Sequence, residues 1–496
     1  MDYAIAVLDV GKTNKKTIIY DPELRIVDSV YKTFEPVERD GIPVEDLASI
    51  EDWFLSQLKE FGTKYPVRII SVTTHGATFV CVGADGRPSV PVVDYTYEPG
   101  DDFHDEFYQL VGDKLQLQRT TATLELKALI NPAKGIFFAQ KTYPEGFEKT
   151  EHILLYPQYY GFRLTGNPAA DYTYAGCHTY LWDFAANDWS LVADKLGIRD
   201  LLPADVRKPY EMLGPISAEV AEKTGLDSST MVTLGVHDSN ASLLPYLVKK
   251  TEDFVLNSTG TWCVAMHPSD EVRFAEEEIG KSVFYNISPL ANPVKTSILM
   301  GGLEFETYTD ILKPLHNDAP FPSFDPDVYR RVISEKRLFI LPGVVQGSGQ
   351  FPDAVTGAVE DGTFYDLASL QAGTHPEFFR DYGVAYAVLN LSLAIQTKVA
   401  LERVGLEPGV SLFTEGGFRN NPDYNQLLTA FFPQSQVALT NIDEATSFGA
   451  ALIAKSAREE IEPESLGEKF EIETNPVSKA TFDGLTDYEQ AFYALL

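Results

Sequence analysis

At 496 residues the chain is too long for one ordinary hydrophobic core, which predicts two domains of roughly 250 and 200 residues. Its hydrophobic content of 44% and aromatic content of 12%, with 30 phenylalanines and 25 tyrosines, exclude widespread disorder. A formal charge of −32 excludes non-specific binding to nucleic acid or anionic membranes, which need basic surface, but permits a phosphate held by glycine and backbone N–H groups.

The first element is a strand–turn–strand unit over residues 4–21, whose polar turn runs Asp9-Val10-Gly11-Lys12-Thr13-Asn14. Residues 26–34 are predicted as a third strand, and residues 50–61 have apolar positions at helical spacing. Residues 67–74 form a buried strand entering Thr74-His75-Gly76-Ala77, and residues 78–82 continue as strand to the Asp85-Gly86 turn. Residues 101–150 are mostly helical. An aromatic helix follows a strand over 153–165 and stops at Gly166. A short helix over 217–224 ends at Gly225, and a strand over 232–235 leads into His237-Asp238-Ser239-Asn240 and a helix over 241–248. Strands interleaved with helices indicate an α/β sheet covered on both faces.

The polar run 249–253 is the predicted domain boundary. Behind it a second hairpin, residues 254–265, echoes the first around Ser258-Thr259-Gly260-Thr261. A long helix over 382–404 stops at Gly405, a strand over 410–413 enters Glu415-Gly416-Gly417, and helix, strand and helix follow over 422–432, 437–440 and 444–457. The last forty residues are acidic and weakly patterned, which predicts a partly ordered tail. Cys81, Cys177 and Cys263 are scattered with no CxxC or Cys/His metal spacing, so they are expected to be small buried hydrophobes in a reducing compartment. The first strand starts directly behind Asp2, with no basic leader. No apolar stretch approaches the about 18 residues a bilayer crossing needs. The chain is therefore expected to be cytoplasmic, with no membrane or nucleic-acid partner.

Four places carry chemistry. The first turn is either a polar hairpin tip or a phosphate loop, in which Gly11, Lys12, Thr13 and Asn14 grip ATP and Asp9 faces hydrated Mg²⁺; it is not a GxxxxGK[ST] loop. Thr259, Gly260 and Thr261 suit a second phosphate contact, although such residues are common in hairpins. Asp238 is either a helix N-cap or a general base that takes the proton of an attacking hydroxyl. Gly416 and Gly417, with Asn420 behind them, would let a flat adenine or ribose approach backbone, or form a plain turn. His75 is either structural or a direct substrate contact.

These residues fall in eight ordered blocks: VLDVGKTN (7–14), SVTTHGATFVCVGADGR (71–87), YYGFRLTG (159–166), DYTYAGCHTYLWD (171–183), GVHDSNAS (235–242), STGTW (258–262), EGGFRNNPDYNQLL (415–428) and ATSFGAALIA (445–454). Over residues from about 4 to 455 the chain resembles the FGGY carbohydrate kinases of the actin/Hsp70/sugar-kinase superfamily, especially the L-fuculokinase and L-rhamnulokinase branch. The resemblance implies an α/β fold of two actin-like (ribonuclease H-like) lobes with a nucleotide cleft between them. Residues 1–249 would form the N-terminal lobe, 254–457 the C-terminal lobe and 458–496 an acidic tail. It implies ATP-dependent phosphorylation of a ketose hydroxyl, with a deoxyketose such as L-fuculose or L-rhamnulose as the leading substrate and Mg²⁺ as cofactor. Asp238 would be the base and, with Asp9, lie at the metal; Thr74, His75, Gly76, Ala77 and Asp238 would contact sugar. The expected partners are a small-molecule sugar and ATP, and the resemblance is compatible with a homodimer.

Lys12 stands where the family has small residues, and would either touch phosphate or point outward. Residues 93–97 lack the family's aromatic–basic–Asp pattern, Gln158 replaces a frequent aspartate, and Glu415 replaces a glycine. Xylulose, ribulose or glycerol remain alternative substrates. A non-catalytic sugar sensor and an actin- or Hsp70-like conformational ATPase are the rivals from other classes.

Overall fold

The computed structural model describes residues 1–250, 252–442 and 444–496. Thr251, inside the predicted boundary 249–253, lies outside the described residues.

The first sheet contains β1 (Ala4–Val10), β2 (Asn14–Tyr20), β3 (Ile26–Thr33), β4 (Val67–Thr74), β5 (Met212–Pro215), β6 (Met231–Thr233) and β7 (Val236–His237). Their order is β5-β6-β4-β1-β2-β3, with β7 paired to the end of β4. Every residue of β1 is buried, as expected of a central strand flanked by antiparallel β2 and parallel β4. The helix Leu47–Lys64 begins where the Asp46 carboxylate accepts from the Ser49 N–H, and it turns Ile50, Phe54, Leu58 and Phe61 into the core.

The second sheet contains β8 (Phe254–Thr259), β9 (Cys263–Pro268), β10 (Phe284–Ile287), β11 (Pro293–Leu299), β12 (Ser411–Gly416), β13 (Gln436–Asn441) and β14 (Glu473–Pro476). Their order is β10-β11-β9-β8-β12-β13-β14. Each sheet thus has an antiparallel hairpin beside a parallel strand, β1–β2 with β4 and β8–β9 with β12. The two-lobed α/β architecture expected from the sequence is present.

Two helices tie the lobes together. Asp238–Lys249 leaves the first sheet, yet its Leu243 and Tyr246 pack against Phe254, Leu256, Phe413 and Ala438 of the second. Ala445–Glu459 leaves the second sheet, yet its Phe448, Ala450 and Leu452 join Ile5, Val7 and Ile69 of the first. The helices meet backbone to backbone, since a Cβ at Gly449 would stand 1.8 Å from the Ala241 carbonyl oxygen.

Two expectations are corrected. The acidic C-terminal stretch is built into the second lobe rather than partly ordered: β14 extends the sheet beside β13, and the helix Leu485–Tyr493 buries Leu485, Tyr488 and Phe492 in that lobe's core. Those apolar residues recur at one helical face, and the buried Glu489 beside them is paired with Lys398 at 2.9 Å, so a count of acidic residues concealed the stripe. The helix Tyr382–Arg403 is also long and apolar enough to cross a membrane, contrary to the expectation from the sequence. It is a core helix, with 89% of its apolar window buried inside the protein.

Candidate active site

β4 is the organising strand. Its Thr74 pairs with Val10 on one side and with His237 on the other, so the end of β1 and the start of the Asp238 helix arrive together. The His75 N–H then donates to the Val10 carbonyl at 3.0 Å. Between the lobes lies a cleft of about 330 Å³, lined by Lys12, His75, Gly76, Ala77 and Asp238 from the first lobe and by Ser258, Thr259 and Gly260 from the second.

Asp238 opens its helix on the cleft floor, with 29% of its side chain exposed. Its Oδ1 accepts from the Ser239 N–H at 2.6 Å and from the Ser239 hydroxyl at 3.3 Å. Burial raises its carboxyl to about 6 against the pull of those bonds. Asp9 is buried at the end of β1 and is likewise pushed up to about 6 by burial, partly offset by Lys16 and the Ser447 hydroxyl. The lysine beside Asp9 is Lys16, whose Nζ lies 3.9 Å from Oδ2 and 2.5 Å from Glu444 Oε2.

Lys12 lines the cleft, where its ammonium pairs with Asp94 Oδ2 at 2.5 Å and Glu45 Oε1 at 3.1 Å, over the Tyr95 ring. Burial would raise the Asp94 carboxyl, yet Lys12 and the N–H and hydroxyl of Thr96 prevail and hold it below its usual value. Within residues 93–97, Asp94 and Tyr95 therefore hold Lys12, and Thr96 supports Asp94. Gln158 has a similar local reason: its Nε2 donates to the buried Asp171 Oδ1 at 3.0 Å, where an aspartate would oppose a second carboxylate.

The turns are shaped by steric necessity. A Cβ on Gly11 would stand 2.8 Å from the Asn14 carbonyl oxygen, and one on Gly416, at φ +78°, would stand 2.0 Å from the Thr259 oxygen. Thr13, Asn14, Gly260, Thr261, Gly417 and Asn420 are exposed at these turns. The Thr259 hydroxyl accepts from the Phe418 N–H at 2.9 Å and donates to the Glu415 carbonyl, so it fastens the two glycine turns to each other. The buried Glu415 carboxyl, raised by burial, accepts from the Tyr246 hydroxyl at 2.8 Å.

His75 is buried against Tyr95 and Tyr156, and burial lowers its imidazole to about 3. Its Nδ1 engages the Gly76 carbonyl at 2.8 Å, leaving Nε2 buried without a hydrogen-bond partner. Asn286 Oδ1, from β10 on the facing lobe, is in the same position. Sequence reasoning missed Asn286, Ser447, Cys177, His178 and His237. All three cysteines are buried and free, but Cys177 lies with His178 and His237 beside Asp238 rather than in an inert core. The adjacent Cys-His pair in DYTYAGCHTYLWD was the one available signal.

Residues 4–245 match the N-terminal domain of the FGGY family of carbohydrate kinases, and residues 251–463 match "Carbohydrate kinase FGGY, C-terminal domain". A rhamnulokinase of Halalkalibacterium halodurans is 25% identical over 269 residues, which are 53% of this chain and 55% of that protein. The chain thus spans about half the length of that curated relative. A xylulose kinase of Lactococcus lactis is 24% identical over 70% of this chain and 66% of its own length. The crystal structure of a carbohydrate kinase from Novosphingobium aromaticivorans shares the fold with a TM-score of 0.79 at 24% identity, covering 99% of this chain and 98% of that one. Both lobes, in the expected order, therefore place the chain in the FGGY family of carbohydrate kinases.

Proposed function

We propose that the chain transfers the γ-phosphate of ATP to a hydroxyl of a ketose, with Asp238 as general base. The observation that carries this reading is the position of Asp238. It sits at a helix start in a cleft that Lys12 of the first turn and Thr259 and Gly260 of the second hairpin also line, with a carboxyl near 6 that is ionised at neutral pH. Asp238 would accept the hydroxyl proton as the sugar oxygen bonds to the γ-phosphorus and the bond to the β,γ-bridging oxygen breaks, releasing ADP.

The turns suit a nucleotide, since Gly11 and Gly416 hold them tight where a Cβ would strike the chain's own backbone, and Thr13, Asn14, Gly260 and Thr261 stay exposed on them. Gly11, Thr13 and Asn14 would face phosphate from one lobe and Gly260 and Thr261 from the other, with Gly416, Gly417 and Asn420 toward adenosine. Asp9, with Asp238 near it, has the oxygen donors that suit Mg²⁺, which when bound supplies charge neutralisation for the β- and γ-phosphates. On the sugar side, the buried unpartnered His75 Nε2 and Asn286 Oδ1 fit hydroxyl groups. The rhamnulokinase relatives favour a deoxyketose such as L-rhamnulose or L-fuculose. A cytoplasmic, small-molecule enzyme accords with this reading.

The test is ADP release by the purified protein with ATP, Mg²⁺ and a ketose panel. Release that depends on one sugar and disappears in Asp238→Asn is expected. Sugar-independent release would replace the reading with a conformational ATPase, and sugar binding without turnover on any ketose or polyol would replace it with a sensor.

A further inference from the structure

A thiol and two imidazoles converge where the kinase reading uses only Asp238. One ligand atom from each of Cys177, His178 and His237 lies within 4.8 Å of the others, and Cys177 Sγ is 3.5 Å from His237 Nε2. Gly76 makes the approach of the rings possible: a Cβ there would stand 2.8 Å from the Nε2 atoms of both histidines. All three residues border the cleft, with Cys177 and His237 buried and His178 half-buried, so the cluster lies just beneath the cleft surface.

The geometry points to a second, thiophilic metal site here: Cys177, His178 and His237 bind one Zn²⁺-like ion, leave a coordination position toward the cleft, and thereby block sugar phosphorylation. Around zinc, nitrogen and sulfur ligands stand about 3.3–3.8 Å apart, so a pair at the 4.8 Å limit must close by about 1–1.5 Å. Mg²⁺ does not compete, because it prefers oxygen donors. The Cys177 S–H bond breaks as the sulfur–metal bond forms, and the proton leaves to solvent; no oxidant is involved. Nearby Asp238, with Oδ1 3.3 Å from His237 Nε2, adds the negative charge that a thiolate alone leaves short of neutrality.

The surroundings supply the rearrangement that metal ligation needs. The Asn240 amide donates to His237 Nδ1 at 3.3 Å and to the Thr173 carbonyl at 3.1 Å, while its own Oδ1 is buried without a partner. A metal on His237 Nε2 places the ring proton on Nδ1. Turning the Asn240 amide over then offers it that oxygen, at the expense of the bond to Thr173.

Metal binding stands independently of the proposed reaction, whereas its effect on turnover rests on that reading. The full-length protein, without nucleotide, is titrated with Co²⁺ as a spectroscopic substitute for Zn²⁺. One equivalent is expected to give a thiolate-to-cobalt absorption band, displaced by Zn²⁺. The band is lost in Cys177→Ala, weakened at least tenfold in affinity in His178→Ala, and retained in Cys263→Ala, with folding of each variant checked by circular dichroism. No band in the wild type, or a band that survives Cys177→Ala, overturns the site. With turnover established, Zn²⁺ inhibition at saturating Mg²⁺-ATP should weaken at least tenfold in Cys177→Ala, and equal inhibition of both proteins overturns the blocking role.

Discussion

The Ser447 hydroxyl donates to Asp9 Oδ2 at 2.7 Å, joining residues 438 positions apart and belonging to hairpin and helix of different halves of the chain. This bond lowers the Asp9 carboxyl against the rise imposed by burial. In Ser447→Ala the Asp9 carboxyl should titrate above about 6, and stability at neutral pH should fall by about 1–3 kcal/mol because a buried charged group loses a donor. Thermal denaturation at pH 7.5 and 5 reads the effect, which should shrink at the lower pH as Asp9 takes up its proton.

Asp238→Asn separates catalysis from stability. Loss of a general base should lower kcat by about 10²- to 10⁴-fold with ATP affinity retained. In the wild type, kcat/KM should fall with decreasing pH below about 6, because only the carboxylate can accept the proton. The sign for stability is opposite. A carboxyl raised from 3.8 to about 6 in the fold weakens the native state at pH above both values, by up to about 3 kcal/mol, and not at pH below 3.8. The asparagine variant should therefore melt higher than wild type at pH 8, with the difference narrowing toward pH 5.

Lys12→Ala leaves the nearly buried Asp94 and Glu45 with less positive charge. A loss of about 1–3 kcal/mol is expected, below the value for a fully buried pair because Lys12 is 29% exposed. Since Asp94 and Tyr95 are its partners, the KM for sugar should rise more than the KM for ATP. Steady-state kinetics with each substrate varied in turn decides this, and a change confined to ATP would return Lys12 to the phosphate turn.

Phe492→Ala should cost about 3–5 kcal/mol, because its ring is fully buried in the second lobe's core. Urea denaturation checks it. A variant as stable as wild type would mean that the last helix does not support the lobe.

Much of this molecule was legible because its patterns are short-range. The hairpins at Asp9 and Thr259 announce themselves by strand residues flanking a polar turn, and Asp238 by its place between a strand and an apolar helix. The meeting of those three sites was carried by ordered motifs; β4 is the physical means for two of them, the first hairpin and Asp238, since Thr74 pairs with Val10 and His237 at once. Cys177 and His237 lie 60 residues apart, beyond any local spacing rule. The partners of Lys12 were hidden for the same reason, and the helix Leu485–Tyr493 was obscured because its buried face includes Glu489, whose partner Lys398 lies far away in the sequence.

The contact of Gly449 with the Ala241 carbonyl is where the two lobes come closest through their main chains in this pair of helices. Two main chains pressed together tolerate rotation but resist sliding, so this crossing behaves as a fulcrum. Asp238 lies one turn from Ala241, and Ser447 lies two residues from Gly449. The carboxylates of Asp9 and Asp238 lie beside this crossing, so any rotation of one lobe on the other would displace them less than distant walls such as Asn286.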